Sequence, residues 1–269
     1  MLHTLRTFYI EYPLKEAQTC IAGIPWSSAE IGKSVKYGPL FIRQALREIE
    51  GFDPGTKKDV FERKFCDLGD IDPVPSNWEL TRQRIVDTID YVFKVNPNVF
   101  PIFFGGDHLI TLGILEGMKK RHGPFTVIHF DAHRDISSDW EGEKYSHITW
   151  GYYAIKTLGL KLVQLGIRSS TAEEDKTLPS LGIKETLDNI QGKVYITFDL
   201  DIFDPGFSPQ VGTPEPLGMA PMEVFSLLKK ACSFDLIGMD IVECASDQVN
   251  TQTALLGAQV FKMVELWKK

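Results

Sequence analysis

Cysteine is scarce in this chain, with four among 269 residues. Cys20, Cys66, Cys232 and Cys244 show no Cys-x-x-Cys spacing, which speaks against a thiolate metal module and makes reduced residues the default. Three of them follow or enter apolar runs, where a reduced thiol acts as a small packing residue. Long apolar stretches are missing as well. None approaches the roughly 18 residues of a membrane span, and Arg6, Glu11 and Lys15 interrupt the N-terminal region where a signal peptide would need an apolar core. The expectation is a cytoplasmic protein. Positive charge is also short: 29 Lys and Arg against 36 Asp and Glu leave a net charge of −7. That balance speaks against a nucleic-acid partner, which requires a basic surface, and slightly favours cationic small molecules.

No repeat or long linker divides the sequence, so residues 1–269 read as a single domain with 43% hydrophobic content, enough to bury a large core. Apolar segments near 17–24, 63–69, 99–104, 125–131, 161–166, 193–199 and 235–242 alternate with helix-like stretches near 38–48, 77–95, 109–122, 148–158, 220–232 and 250–267. This alternation predicts an α/β fold, a parallel sheet with helices on both faces.

Chemistry-bearing residues stand where apolar runs end. His108 closes Gly105-Gly106-Asp107-His108; Asp131, His133 and Asp135 follow the run 125–130; Asp199 and Asp201 follow the run 194–198. The carboxyl ends of strands in an open α/β sheet form a common crevice, so the three groups are expected to converge. If extended geometry continues past the strands, Asp131, His133 and Asp135 share one side, as do Asp199 and Asp201. Four carboxylates and two imidazoles without a thiolate suit manganese or magnesium better than structural zinc. The charge of the aspartates, about −4, matches two divalent cations. Any one of these aspartates also fits a helix cap or turn, and His133 alone fits a satisfied buried histidine. All six together fit poorly with that reading, because unpaired buried carboxylates repel and desolvate at a cost of several kcal/mol each.

Gly-Gly-Asp-His at 105–108, Asp-Ala-His-Arg-Asp at 131–135 and Phe-Asp-Leu-Asp-Ile-Phe-Asp-Pro at 198–205 resemble the signature blocks of the ureohydrolases, the family of arginase, agmatinase and formimidoylglutamase. Gly-Ile-Pro at 23–25, Gly38-Pro39, Asp67-Leu-Gly-Asp-Ile71, Gly166-Ile-Arg168, Gly212-Thr-Pro-Glu-Pro216 and Asp240-Ile-Val-Glu243 extend the likeness along nearly the whole chain. The resemblance implies a three-layer α/β/α domain with a parallel sheet of about eight strands. It also implies a homo-oligomer, a trimer or hexamer, and two Mn2+ ions per chain. Asp131 and Asp199 would bridge the metals, His108 and Asp135 would complete one site, and His133 and Asp201 the other. A bridging hydroxide would then attack a guanidinium carbon and release urea and an amine. Asp135 joins the catalytic set with Glu243, implied to hold the guanidinium, and His147, implied to carry a proton to the leaving amine. Asp107 and Asp204 read as supporting or turn residues, His129 as a core or supporting residue, and His3 and His122 as solvated.

The chain departs from the family pattern at several points. Ile148 stands where glycine is usual after the histidine, Leu109 where serine is common, Gln210-Val211 where small residues precede Gly212, and Cys244-Ala245-Ser246 where Asn-Pro is frequent. The segment from Ile136 to Ser146 lacks the asparagine of arginases, and Asp139, Glu141 and Glu143 against Lys144 give it a formal charge of −2. Such a loop favours a substrate with a cationic far end. Agmatinase is therefore the expected activity, with arginase, guanidinobutyrase and formimidoylglutamase as competing readings and a catalytically silent metal-binding scaffold as the alternative of another class. Lys144 and Arg168 are the cations that would serve an α-carboxylate instead.

Overall fold

In the computed structural model, which describes residues 7–8, 10–28 and 33–269, seven strands form one sheet. They are β1 (Thr19–Ile24), β4 (Phe65–Asp70), β5 (Phe100–Gly105), β6 (Thr126–Phe130), β7 (Lys161–Leu165), β8 (Lys193–Asp199) and β9 (Asp235–Val242). Their order is β4-β1-β5-β9-β8-β6-β7 and every pairing is parallel. The sheet thus has seven strands, not eight. The remaining strands, β2 (Phe52–Asp53) and β3 (Lys58–Asp59), pair antiparallel with each other alone, and their partly exposed residues offer no apolar face to pack on the main sheet.

Strand side chains alternate between two cores. Ile102 and Phe104 of β5, Ile128 and Phe130 of β6, and Ile196 and Phe198 of β8 enter one core, together with α1 (Gly38–Leu46), α6 (Pro221–Ala231) and α7 (Gln252–Trp267). Phe103, Val127 and Tyr195 enter the other, beneath α2 (Trp78–Val95), α3 (Ile110–His122), α4 (Trp150–Lys156) and α5 (Ala172–Leu181). Strands covered on both faces explain the nearly unbroken apolar runs. Three layers, helix on sheet on helix, result. All four cysteines are free and buried in this packing. Among the described residues no helix is long and apolar enough to cross a membrane.

One helix, α5, was absent from the sequence expectation. Its start is nevertheless encoded, because Thr171 accepts from Glu174 N while Glu174 accepts from Thr171 N, a reciprocal cap. The same Glu174 takes Ile136 N at 3.0 Å. It therefore ties the segment after Asp135 to α5.

Candidate active site

Four neighbouring strands, in the order β5-β9-β8-β6, end at one crevice. His108 lies just beyond β5, Glu243 just beyond β9, Asp199 at the end of β8 and Asp131 just beyond β6. The β5 end is fixed by close backbone approach. Gly106 N donates to Ile24 O and Asp107 N to Trp26 O, and a Cβ on Gly106 would sit 1.7 Å from Trp26 O. Only glycine fits there. Gly106 O in turn accepts from Glu243 N, which couples the His108 turn to Glu243.

The structure brings the six expected side chains together, though not by continuing the strands. β6 stops at Phe130, and Asp135 turns back with φ of 52°, a left-handed conformation uncommon outside glycine that aspartate adopts more readily than most residues. His108 Nδ1 lies 3.0 Å from Asp131 Oδ2, 3.2 Å from Asp199 Oδ2 and 3.3 Å from Asp135 Oδ2. His133 Nδ1 lies 2.8 Å from Asp201 Oδ2 and 3.5 Å from Asp131 Oδ1. Asp131 therefore faces both histidines, one with each oxygen. Two groups that can hold a metal ion share it: His108, His129, Asp131 and Asp135, and Asp131, His133 and Asp201.

The donor chemistry fits divalent cations. His108 Nδ1 is buried without a properly directed hydrogen bond, although three carboxylates surround it. Its other nitrogen, Nε2, lies 2.8 Å from Thr197 Oγ1, and Thr197 donates its own proton to Asp240 Oδ1 at 2.6 Å. Thr197 must then accept from His108 Nε2–H, which leaves the Nδ1 lone pair for a metal. His129 differs. Gln164 Nε2 donates to its Nδ1 at 3.1 Å, so Nε2–H donates to Asp131 Oδ2 at 2.6 Å. That places His129 as a brace for Asp131, in line with a supporting role.

These braces form a row. Gln164, His129, Thr197 and Asp240 are register partners across β7, β6, β8 and β9, and Tyr195 and Thr111 add further bonds to Asp240. Trp150 completes the support: its ring stacks on His108 at 4.8 Å, and Nε1 donates to Asp135 Oδ2 at 2.9 Å. Sequence reasoning assigned no role to Thr197, Gln164 or Trp150, which lie inside apolar or helix-like segments. Only the strand order shows them side by side.

Electrostatics agree with a centre built for added positive charge. Burial, then repulsion from neighbouring carboxylates, holds Asp135, Asp199 and Asp201 above the ordinary carboxylate range. Burial also opposes charge on Asp131, but the surrounding histidines outweigh it and take its pKa well below normal. Burial disfavours a charged His108, yet its carboxylates push it well above the usual histidine value.

Glu243 adopts φ of 63° and accepts from His108 N at 2.9 Å through Oε1. A Cβ at Gly212 would meet its Oε2 at 2.4 Å, so glycine there makes room for the carboxylate. Burial first, then Asp107, raises the Glu243 pKa well above normal. His147 opens a short 3-10 turn, and its one side-chain hydrogen bond among the described residues is with Ser146 Oγ. Among the described residues it makes no hydrogen bond or ion pair with the cluster, although it feels the charges of His133, His108 and Asp131. Burial, then the positive fields of His133 and His108, lower its pKa to about 4.

Asp107 binds Ser28 N and Oγ as well as Leu109 N, and Asp204 caps a turn by accepting from Gly206 N and Gly218 N. His122 is half-buried against Phe93, edge to face, rather than solvated; His3 lies outside the described residues. Asp139, Glu141 and Glu143 are exposed, and Asp139 and Glu143 accept from backbone within their own loop. Lys144 rests over the rings of Tyr145 and Tyr153. The Arg168 guanidinium is consumed by backbone carbonyls, among them Asp201 O at 2.7 Å, Glu215 O at 2.8 Å and Pro216 O at 3.2 Å.

The profile of the arginase family matches residues 17–265. The chain belongs to the arginase family. This arginase-family chain is 31% identical to the N(1)-aminopropylagmatine ureohydrolase of Thermococcus kodakarensis over 96% of its length and 94% of that protein. It is 30% identical to an agmatinase of Pyrococcus horikoshii, covering 97% and 96%. The solved agmatine ureohydrolase of Thermoplasma volcanium superposes with a TM-score of 0.86 at 27% identity, over 96% of this chain and 92% of that one. As a member of this metal-dependent family, the chain is an amidinohydrolase, with a buried His/Asp cluster able to hold metal.

Proposed function

We propose that the protein hydrolyses a guanidino C–N bond with two Mn2+ ions per chain, converting agmatine to putrescine and urea. The observation that carries this reading is the clustering of the six ligand-type side chains, Asp131, Asp135 and Asp199 around His108 and Asp131 and Asp201 beside His133, with the Glu243 carboxylate bonded to the backbone of His108. Asp131 and Asp199 would be shared between the ions, His108 and Asp135 would hold one, and His133 and Asp201 the other. Bound there, the cations would acidify water near neutral pH and stabilise charge developing at the guanidinium carbon.

The chain's own residues do the rest. Glu243 accepts guanidinium N–H groups and fixes the plane of the substrate. His147 rests neutral and carries a proton to the leaving amine. The Thr197–Asp240 pair keeps His108 in the right tautomer, and Trp150 keeps Asp135 aimed at it. Arginine is disfavoured, because Arg168 spends its donors on backbone carbonyls and Lys144 rests over the rings of Tyr145 and Tyr153. The same reading makes the protein a cytoplasmic homo-oligomer, trimer or hexamer, in polyamine biosynthesis.

The test is urea release by manganese-loaded protein from agmatine, arginine, guanidinobutyrate and formiminoglutamate. Urea from agmatine is expected. Formamide without urea would redirect the assignment to formiminoglutamate, and silence across the set with two metals bound would replace it with a metal-binding scaffold.

A further inference from the structure

A carboxylate stands at the mouth of the crevice whose presentation is more elaborate than a solvated side chain needs. Glu215 is flanked by Pro214 and Pro216, which restrict the backbone on both sides. Arg168 pins its carbonyl at 2.8 Å and that of Pro216 at 3.2 Å, while Gly218 N, three residues on, is held by Asp204. Leu217 between them is forced to φ of 61°. The segment is therefore rigid before any ligand arrives.

The Glu215 side chain is 38% exposed, and its Oε1 lies 3.6 Å from His133 Nε2, one imidazole width from the cluster. That separation exceeds a hydrogen bond, so Glu215 is not the direct acceptor that would orient His133. Oε1 instead takes the hydroxyl of Ser169 at 3.2 Å, and among the described residues no hydrogen bond reaches Oε2. Ser169 also lines a cavity of about 130 Å3 with His133, Asp135, Trp140 and Ile148, so the cavity adjoins two members of the cluster. The loop acids Asp139, Glu141 and Glu143 are exposed, and among the described residues they make no hydrogen bond or ion pair with the cluster.

We propose that Glu215, braced by Ser169, determines specificity by binding the terminal ammonium of an aminoalkylguanidine. This rests on the guanidino-hydrolase reading above and names the group that chooses among its substrates. A cationic tail finds an oriented, half-exposed carboxylate, a neutral tail finds only the wall of the cavity, and an anionic tail meets like charge.

Agmatine, butylguanidine and 4-guanidinobutyrate differ in tail charge and serve as probes for the wild type, Glu215→Gln and Glu215→Lys, each with its metal content measured. In Glu215→Gln the ratio of kcat/KM for agmatine over butylguanidine is expected to fall about two- to fivefold, through KM, as one half-exposed charge pair would give. In Glu215→Lys the preference shifts toward guanidinobutyrate, with metal content unchanged in both variants. If agmatine and butylguanidine decline together, or metal is lost, Glu215 merely supports His133 and the assignment is overturned. If the wild type turns over none of the three, the hydrolase reading fails separately, and calorimetry still decides on Glu215. A preference for agmatine over butylguanidine that disappears in Glu215→Gln supports it; equal affinities overturn it.

Discussion

Inside β8, the hydroxyl of Thr197 donates to Asp240 and so can only accept from His108, which settles where the imidazole carries its proton. Thr197→Val keeps the shape and removes the hydroxyl, leaving His108 Nε2–H and Asp240 Oδ1 without that partner in a fully buried place. Metal affinity is expected to fall roughly 10- to 100-fold, as for other braces behind a ligand, and the fold to lose about 1–3 kcal/mol. Titration of the apo protein with Mn2+ and a denaturant curve check both; unaltered affinity would mean that the tautomer is set elsewhere. At this scale the candidate ligands were legible because charged residues at the ends of apolar runs stand out. Thr197 and Gln164 were not, since each sits within a strand whose neighbours only the sheet order reveals.

Seven apolar segments in the sequence became the seven strands of the sheet, because strands buried on both faces leave an almost continuous apolar record. What stayed hidden is how the chain leaves them. Extended geometry past β6 suggested that Asp131, His133 and Asp135 share a side, whereas the strand stops and a left-handed turn at Asp135 brings the three together. α5 was hidden because Pro179 and a polar start resemble a loop, although its Thr171–Glu174 cap was readable. Gly106 is the clearest case of an element end that a single residue controls. Gly106→Ala would drive a methyl into Trp26 O, moving the β5 turn that carries His108 and, through Gly106 O, Glu243. The expected result is a folded protein weakened by about 1–3 kcal/mol, with metal binding and turnover lost together. Circular dichroism, thermal unfolding and metal content decide it; full occupancy in Gly106→Ala would show that this turn tolerates displacement.

For the molecule as a whole, the crevice concentrates Asp131, Asp135, Asp199, Asp201 and Glu243, all buried, in a chain already carrying a net charge of −7. Folding without cations brings these carboxylates together in low dielectric, where burial and mutual repulsion push several pKa values up. A ligand that binds only the folded state relieves that repulsion and stabilises by mass action, about 3 kcal/mol per site at a hundredfold excess over Kd. With roughly 2 °C of midpoint per kcal/mol for a domain of this size, two sites raise the thermal midpoint on the order of 10 °C. Chelator-treated protein is accordingly expected to unfold at the lower temperature and Mn2+ to restore the higher one, with monovalent salt at equal ionic strength unable to substitute. Asp131→Asn separates this from general screening, because Asp131 belongs to both groups able to hold a metal ion. The variant should lose most of the Mn2+-dependent rise, not half. If it keeps half, the two positions fill independently and Asp131 is not shared; if the wild type shows no rise at all, the buried acids are neutralised by protons instead of cations.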